Sequence, residues 1–350
     1  MVDTAGFTDD DGNGTVDDSV AMDAAIDAAA TARCRTSPNP WVGSVVTVDG
    51  RIVGTGATRP PGGPHAERVA IEAVAANGGS IDGATLVTTL EPCHSEGRTG
   101  PCTEAIVAAG VARVVVAVED PDPQVAGRGI ARLREAGLEV VIGVRADEVA
   151  EQLAPYLHHR RTGRPLVVLK MATTVDGRIA APDGSSRWIT GPEARADVHR
   201  MRAESDAVCV GSGTVRADDP RLDVRDWPEA AAMESTDPRR IVLGAIPADA
   251  RVRPAEEHHG DLGALLDRLG SEGVLQLLVE GGAEVAGRFH REGLADRVVA
   301  YMAPALLGGD DGRPLLAGSG AATMAEAWRG RFVDVRRLGP DLRIEMVPDA

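Results

Sequence analysis

The sequence predicts an α/β protein of two three-layer domains joined by a helical connection. Three observations carry that reading. Apolar β-type runs alternate with helical runs along most of the chain. The alternation breaks once, at Thr162-Gly163-Arg164-Pro165, and then resumes. A length of 350 residues suits two domains. Hydrophobic content of 43% supports sizeable cores, while 3% aromatics leaves packing to Ala, Val, Leu and Ile. The net charge of −16 argues against a nucleic-acid partner. No apolar run approaches the roughly 18 residues of a membrane span, and the start lacks a signal-peptide layout. Four cysteines, two of them claimed by a metal motif below, fit a reducing, cytoplasmic setting.

Residues 1–19 carry six Asp and no Lys or Arg, and read as a disordered acidic tail. Asp9, Asp11, Asn13 and Gly14 imitate half a calcium loop, but Val20 stands where its glutamate belongs. Ser19 is the expected N-cap of a helix to Arg33, with Met22, Ala25, Ile26 and Ala29 on one face. Val42–Val48 and Arg51–Thr55 flank Asp49-Gly50, a hairpin signal. A helix from Ala66, a strand from Ala84 to Leu90, a helix from Thr103, a strand 111–118, a helix 127–136 and a strand 138–144 complete a first domain over 20–147. Glu148–Arg161 reads as a connecting helix, so the connection spans 148–164 and a second domain spans 165–350. Its strands are expected at 166–171, 207–211, 240–243, 275–280 and 297–302, with helices at 193–202, 262–269 and 283–290. A hairpin of 332–338 and 342–347 closes the chain.

Chemistry concentrates in Pro64-His65-Ala66-Glu67, Glu91-Pro92-Cys93 and Pro101-Cys102. One imidazole and two thiolates leave zinc's fourth position to water, the layout of a catalytic rather than a structural site. His-x-Glu with a later Pro-Cys pair is the signature of zinc deaminases, in which the glutamate moves protons and is not a ligand. A helix N-terminus at His65 and another at Cys102 would help keep thiolates ionised, with Pro64 and Pro101 opening those helices. A structural zinc would need a fourth protein ligand, and His94 is the candidate. In the second domain, Leu277-Leu278-Val279-Glu280-Gly281-Gly282-Ala283 runs from strand through paired glycines into a helix, presenting backbone N–H groups suited to phosphate. Gly-Gly is also a common tight turn. Arg202, Arg221 and Arg225 are either phosphate grips or ordinary surface charges.

Longer motifs give a family resemblance. Pro38-Asn39-Pro40-x-Val42-Gly43, Thr89-Leu90-Glu91-Pro92-Cys93, Gly97-Arg98-Thr99-Gly100-Pro101-Cys102 and the Asp120–Gly129 stretch resemble the deaminase half of the bifunctional riboflavin-biosynthesis deaminase–reductases. Val175-Asp176-Gly177-Arg178, Trp188-Ile189-Thr190-Gly191, Ala217-Asp218-Asp219-Pro220 and Glu280-Gly281-Gly282 resemble the reductase half. The resemblance implies a cytidine-deaminase-like first domain and a dihydrofolate-reductase-like second. It implies one zinc per chain on His65, Cys93 and Cys102, Glu67 as the catalytic acid/base, and Asn39 orienting the pyrimidine. The implied reaction is hydrolytic deamination of 2,5-diamino-6-(5-phosphoribosylamino)pyrimidin-4(3H)-one, followed by NADPH-dependent reduction of its ribosyl group to ribityl. By position, Ala172, Trp188, Thr214, Asp218 and the turn Gly282, Ala283, Glu284, Val285, Ala286, Gly287 and Arg288 would meet NADPH. Ser186, Arg202, Leu222, Arg225 and Glu280 would meet the substrate. The resemblance also implies a homo-oligomer through the reductase domain.

Two departures motivate an alternative, a reductase with a vestigial or altered deaminase domain. Thr58 stands where the family often has histidine, and Ser95 stands in another such place with His94 displaced by one. The stretch Gly244–Asp261 is short for the family.

Overall fold

The computed structural model describes residues 16–94, 100–230 and 236–349. Most of the expected acidic tail, and Ser95, lie outside them. The chain divides into two compact units, residues 1–161 and 162–350.

The first unit comprises α1 (Asp18–Ala30), β1 (Gly43–Val48), β2 (Arg51–Ala57), α2 (Ala66–Ala76), β3 (Thr85–Leu90), α3 (Cys102–Ala108), β4 (Arg113–Val118), α4 (Arg128–Glu135), β5 (Glu139–Ile142), α5 (Ala146–Gln152) and α6 (Ala154–Thr162). Its five-stranded sheet has the order β2-β1-β3-β4-β5. The hairpin β1–β2 turns through Asp49 and Gly50, both with positive φ, as Asp-Gly demands. From β3 onward the pairs are parallel.

Strand alternation separates two faces. Val46, Leu86, Val114 and Val116 share a buried cluster with Ala70 and Val74 of α2, Ile106 of α3 and Leu133 of α4. Burying each of the larger aliphatic side chains stabilises by about 1.5–3 kcal/mol. Helix α1 lies against β1 closely enough that a Cβ on Gly43 would fall 1.9 Å from the Ala25 carbonyl oxygen. These contacts place α2 and α3 with their N-termini at the exit of β3.

Helix α1 starts earlier than expected: Asp17 is its N-cap, accepting from Val20 N at 2.9 Å, so Ser19 lies inside the helix. Residues 16–19 are therefore structured rather than tail, and Val16 N also donates to Gly50 O. The connecting helix is two helices, α5 and α6. Pro155, second in α6, has no N–H to continue the α5 ladder. Pro64 and Pro101 precede their helices instead of filling the first position, since His65 and Pro101 are the N-caps.

The second unit comprises β6 (Leu166–Thr174), β7 (Arg178–Ala180), α7 (Pro192–Ala203), β8 (Ala207–Gly211), α8 (Ser212–Asp218), β9 (Arg239–Leu243), β10 (Glu256–His258), α9 (Leu262–Ser271), β11 (Gln276–Val279), α10 (Ala283–Arg291), β12 (Arg297–Ala303), β13 (Arg313–Pro314), β14 (Gly330–Leu338) and β15 (Asp341–Pro348). Eight strands order as β10-β9-β8-β11-β6-β12-β15-β14. Pairings are parallel from β10 to β12, and β15 and β14 add antiparallel. One buried cluster, including Val168, Val208, Val210 and Tyr301, packs with Val198 and Met201 of α7. A second takes the alternate residues Val167, Leu169 and Cys209 with Leu265 of α9 and Phe289 of α10. Helices thus cover both faces, the three-layer arrangement expected. Helix α8 was not expected. Its seven residues include Gly213 and Thr214 and carry no apolar period.

Candidate active sites

In the first unit, His65 caps α2, Cys93 leaves β3, and Cys102 opens α3. Their ligand atoms lie within 4.8 Å of one another, and this is the metal-capable His/Cys/Asp/Glu group found among the described residues. Both sulfurs approach His65 Nδ1, Cys93 Sγ at 3.5 Å and Cys102 Sγ at 3.4 Å. Tetrahedral zinc with its usual bond lengths of about 2.1 and 2.3 Å needs nitrogen–sulfur separations of about 3.6 Å. The donor set and spacing therefore fit zinc. His94 is not a member of the group.

The Cys93 thiol is pushed down, chiefly by hydrogen bonding with the Cys102 thiol and then with His65. Cys102 shifts upward because Cys93 takes the charge and burial opposes a second one. His65 is raised by its bond to Cys93 and, less, by Glu67. Glu67, 3% exposed in the first turn of α2, is raised to about 7 by burial and then by the charge on Cys93. A carboxyl near 7 both takes and gives a proton at neutral pH.

Thr58 is buried, and its hydroxyl is engaged with the Val42 backbone, accepting from Val42 N at 3.1 Å. Asn39 lies half-buried on the loop into β1, its backbone N–H donating to Thr36 O.

In the second unit, a cavity of about 720 Å³ opens where β6, β8 and β11 present their carboxyl halves. Ligands favour that edge of a parallel sheet. Ten of the residues expected there line it: Ala172, Trp188, Thr214, Asp218 and Gly282 from the cofactor set, and Ser186, Arg202, Leu222, Arg225 and Glu280 from the substrate set. Gly282 is the N-cap of α10 and has no side-chain cap, so the helix's first N–H groups lack a partner of that kind. The rest of that turn is placed differently. Ala286 is buried in the core. A Cβ on Gly287 would fall 2.1 Å from Ala317 O, and Arg288 bonds Glu292 at 2.7 Å. Ala283, Glu284 and Val285 lie between, on the first turn of α10, and do not line the cavity.

At the cavity floor, Arg202 forks onto Glu280 with contacts of 2.6 and 2.9 Å. Lys170 Nζ stands 3.9 Å from Glu280. Burial would raise Glu280, but Arg202 and Lys170 outweigh it and hold the carboxyl below its usual range. Lys170 is lowered by burial despite Glu280. Its ammonium also sits 5.8 Å from the centre of the Tyr301 ring. At the mouth, Trp188 is 71% exposed and lies under Arg195, 4.5 Å from its guanidinium. Arg221 and Arg225 line the cavity and pair with Asp223. Arg251, from the short 244–261 stretch, also reaches the lining.

Sequence reasoning missed Lys170. The signal was available: it is the only lysine in the chain, all other basic residues being arginine. A lysine inside an apolar central strand has a task that arginine does not fill.

A zinc-type hydrolytic centre on one α/β unit and a nucleotide-sized, arginine-lined cavity on another define a two-domain deaminase–reductase. The family described as the cytidine and deoxycytidylate deaminase zinc-binding region matches residues 15–118, and the RibD C-terminal domain matches 165–344. Riboflavin biosynthesis protein RibD of Mycobacterium tuberculosis is 44% identical over 342 residues, covering 93% of this chain and 96% of that one. RibD of Escherichia coli K12 is 38% identical, covering 94% and 99%. Among solved structures, Acinetobacter baumannii RibD matches with a TM-score of 0.88 at 37% identity, over 95% of this chain and 99% of that one. The deaminase/reductase of Thermotoga maritima matches at 0.85 and 34% identity, over 95% and 99%. The chain belongs to the RibD family of bifunctional riboflavin-biosynthesis enzymes, with a zinc-dependent deaminase domain and an NADPH-dependent reductase domain. The alternative of a vestigial deaminase finds no support, since the three donors and Glu67 are assembled.

Proposed function

We propose that residues 20–147 deaminate 2,5-diamino-6-(5-phosphoribosylamino)pyrimidin-4(3H)-one and that residues 165–350, joined through 148–164, reduce the ribosyl group of the product to ribityl. His65, Cys93 and Cys102 hold zinc, and the convergence of these donors beside Glu67 carries the reading. Zinc, when bound, supplies the Lewis acidity that makes water ionisable near neutral pH. Glu67 would take one proton from the attacking water and give it to the ring nitrogen; it would then take the second from the hydroxyl now on carbon and give it to the amine, which leaves as ammonia as the carbonyl forms. Asn39 orients the pyrimidine. The buried setting of Glu67 keeps bulk water from competing for that proton.

In the second unit, NADPH supplies a hydride when bound. Ala172, Trp188, Thr214, Asp218 and Gly282, the N-cap of α10, form its side of the cavity. Ser186, Arg202, Leu222, Arg225 and Glu280 form the substrate side. Arg225 and its neighbour Arg221 suit the ribose phosphate, because a guanidinium fork matches phosphate oxygens. Lys170, next to Glu280, holds the proton that must follow the hydride onto the ribosyl group.

The partners are small molecules, and the setting is cytoplasmic; no helix among the described residues is long and apolar enough to cross a membrane. The edge strand β14 exposes Phe332 and Val335, 66% and 56%, which supports self-association through the second unit. Sedimentation of Phe332→Asp tests this, and an unchanged mass would refute it. The function itself is tested by a coupled assay. Ammonia release from the diamino substrate should precede NADPH oxidation, and deaminated intermediate supplied directly should support NADPH oxidation alone. Absence of that oxidation would remove the reductase half.

A further inference from the structure

We infer that Glu91, which is not among the metal donors, is the positioning residue that sets Cys93 in the zinc site. The inference rests on the ligand assignment above. Glu91 is 4% exposed, and its carboxylate accepts four backbone N–H groups. Oε2 takes Asp120 N at 3.2 Å and Gly127 N at 3.0 Å, while Oε1 takes Gly129 N at 2.9 Å and Ile130 N at 3.2 Å. A carboxylate offers about four lone-pair positions, so its capacity is filled.

The donors belong to the loop after β4 and to the first turn of α4. The N-cap of that helix is Gly127, which has no side chain to cap it. Glu91 therefore caps α4 from another strand, and the helix dipole favours its charge. Its own N–H donates to Val118 O at 3.0 Å, fixing it to the end of β4.

Only Pro92 separates this anchor from Cys93. The Pro92 carbonyl rests against Gly129, where a Cβ would fall 2.0 Å from the oxygen. On its other side, Cys93 is held by α3: Thr103 N donates to Cys93 O at 3.1 Å, and Cys102 N points to Cys93 Sγ at 3.4 Å. The sulfur is thus fixed between the α3 N-terminus and a backbone that Glu91 and Gly129 back from behind. An amide at position 91 would turn an NH2 toward two of the four donors. Those donors would lose their acceptor while buried, and the Pro92–Cys93 backbone would move.

The test uses the full chain. Zinc is competed against a chelator, and cobalt(II) replaces zinc to report ligand geometry by its visible spectrum. Glu91→Gln and Gly129→Ala should each weaken zinc about 10–100-fold, as outer-sphere changes do, and shift the cobalt bands. Tyr156→Phe loosens the same loop by removing the Tyr156–Asp120 hydrogen bond, 3.0 Å long, without touching Pro92. It should lower the melting temperature and leave zinc affinity unchanged. Circular dichroism and the melting transition of the first unit, in excess zinc, verify folding in each variant. Wild-type zinc affinity and cobalt bands in Glu91→Gln would overturn the inference, as would an equal loss of zinc in Tyr156→Phe. If neither Glu91→Gln nor Gly129→Ala folds even in excess zinc, the inference is also overturned, because mass action offsets a positioning defect. Wild type that takes no zinc would instead refute the ligand assignment, and the inference with it.

Discussion

Replacing Glu67 with Gln keeps the side chain's size in a pocket that leaves 3% of the residue exposed, so packing and the α2 first turn should persist. What disappears is the carboxyl proposed to exchange protons. General acid/base groups contribute about 10²–10⁴ in rate. That corresponds to about 3–5.5 kcal/mol of barrier. The upper part of the range is expected, because Glu67 is read as serving the attacking water, the ring nitrogen and the leaving amine in turn. Burial hinders solvent from substituting. Ammonia release is the assay, with zinc content and NADPH oxidation measured on the same preparation. Zinc should stay at one per chain, and reduction of deaminated intermediate should be unchanged. Ammonia release within threefold of wild type, with zinc retained, would refute the assignment of proton transfer to Glu67.

Three further outcomes are expected. Arg202→Ala leaves Glu280 at the cavity floor with Lys170 as its remaining cation, so unfolding by urea should show a loss of about 3 kcal/mol, the low end for breaking a buried pair; a loss below about 0.5 kcal/mol would contradict the geometry. Lys170→Met keeps the aliphatic stem and removes the ammonium, and NADPH oxidation should fall about 10²-fold or more while ammonia release holds; equal loss of both activities would point to misfolding instead. Asp18 bonds Arg113 at 2.6 and 2.7 Å, which holds its carboxyl below the usual range. Its folded value lies below its unfolded one, so its contribution is present above pH about 4 and fades as acid protonates it. Calorimetry should therefore show Asp18→Asn melting lower at pH 6, by an amount worth about 0.5–1 kcal/mol, with the gap closing below pH 4; a gap independent of pH would refute the ion pair's role.

The first site was legible because its chemistry is tied to short spacings. His65 and Glu67 share one helical turn, and Cys93 and Cys102 bracket one loop, so motif order nearly dictates convergence. The Asp49-Gly50 hairpin was legible for a similar reason, since its backbone conformation selects its residues. The second site was harder to read. Its floor joins Lys170, Arg202 and Glu280 from β6, α7 and the exit of β11, with 78 residues separating Arg202 from Glu280. No local period reports such a meeting. Helix α8 escaped because it is too short to show a face. The connecting helix splits at Pro155, whose missing N–H is itself a sequence signal, and α1 starts early because the Asp17 carboxylate caps as well as a serine hydroxyl does.

The most direct test of the account is zinc X-ray absorption on the purified chain, with metal content measured in parallel. One zinc per chain bound by two sulfurs and two light atoms, one of them histidine nitrogen, is expected. Conversion of either Cys93 or Cys102 to Ser should remove one sulfur from that shell. Zinc with no sulfur neighbours, or with a sulfur shell unaffected by both substitutions, would contradict it.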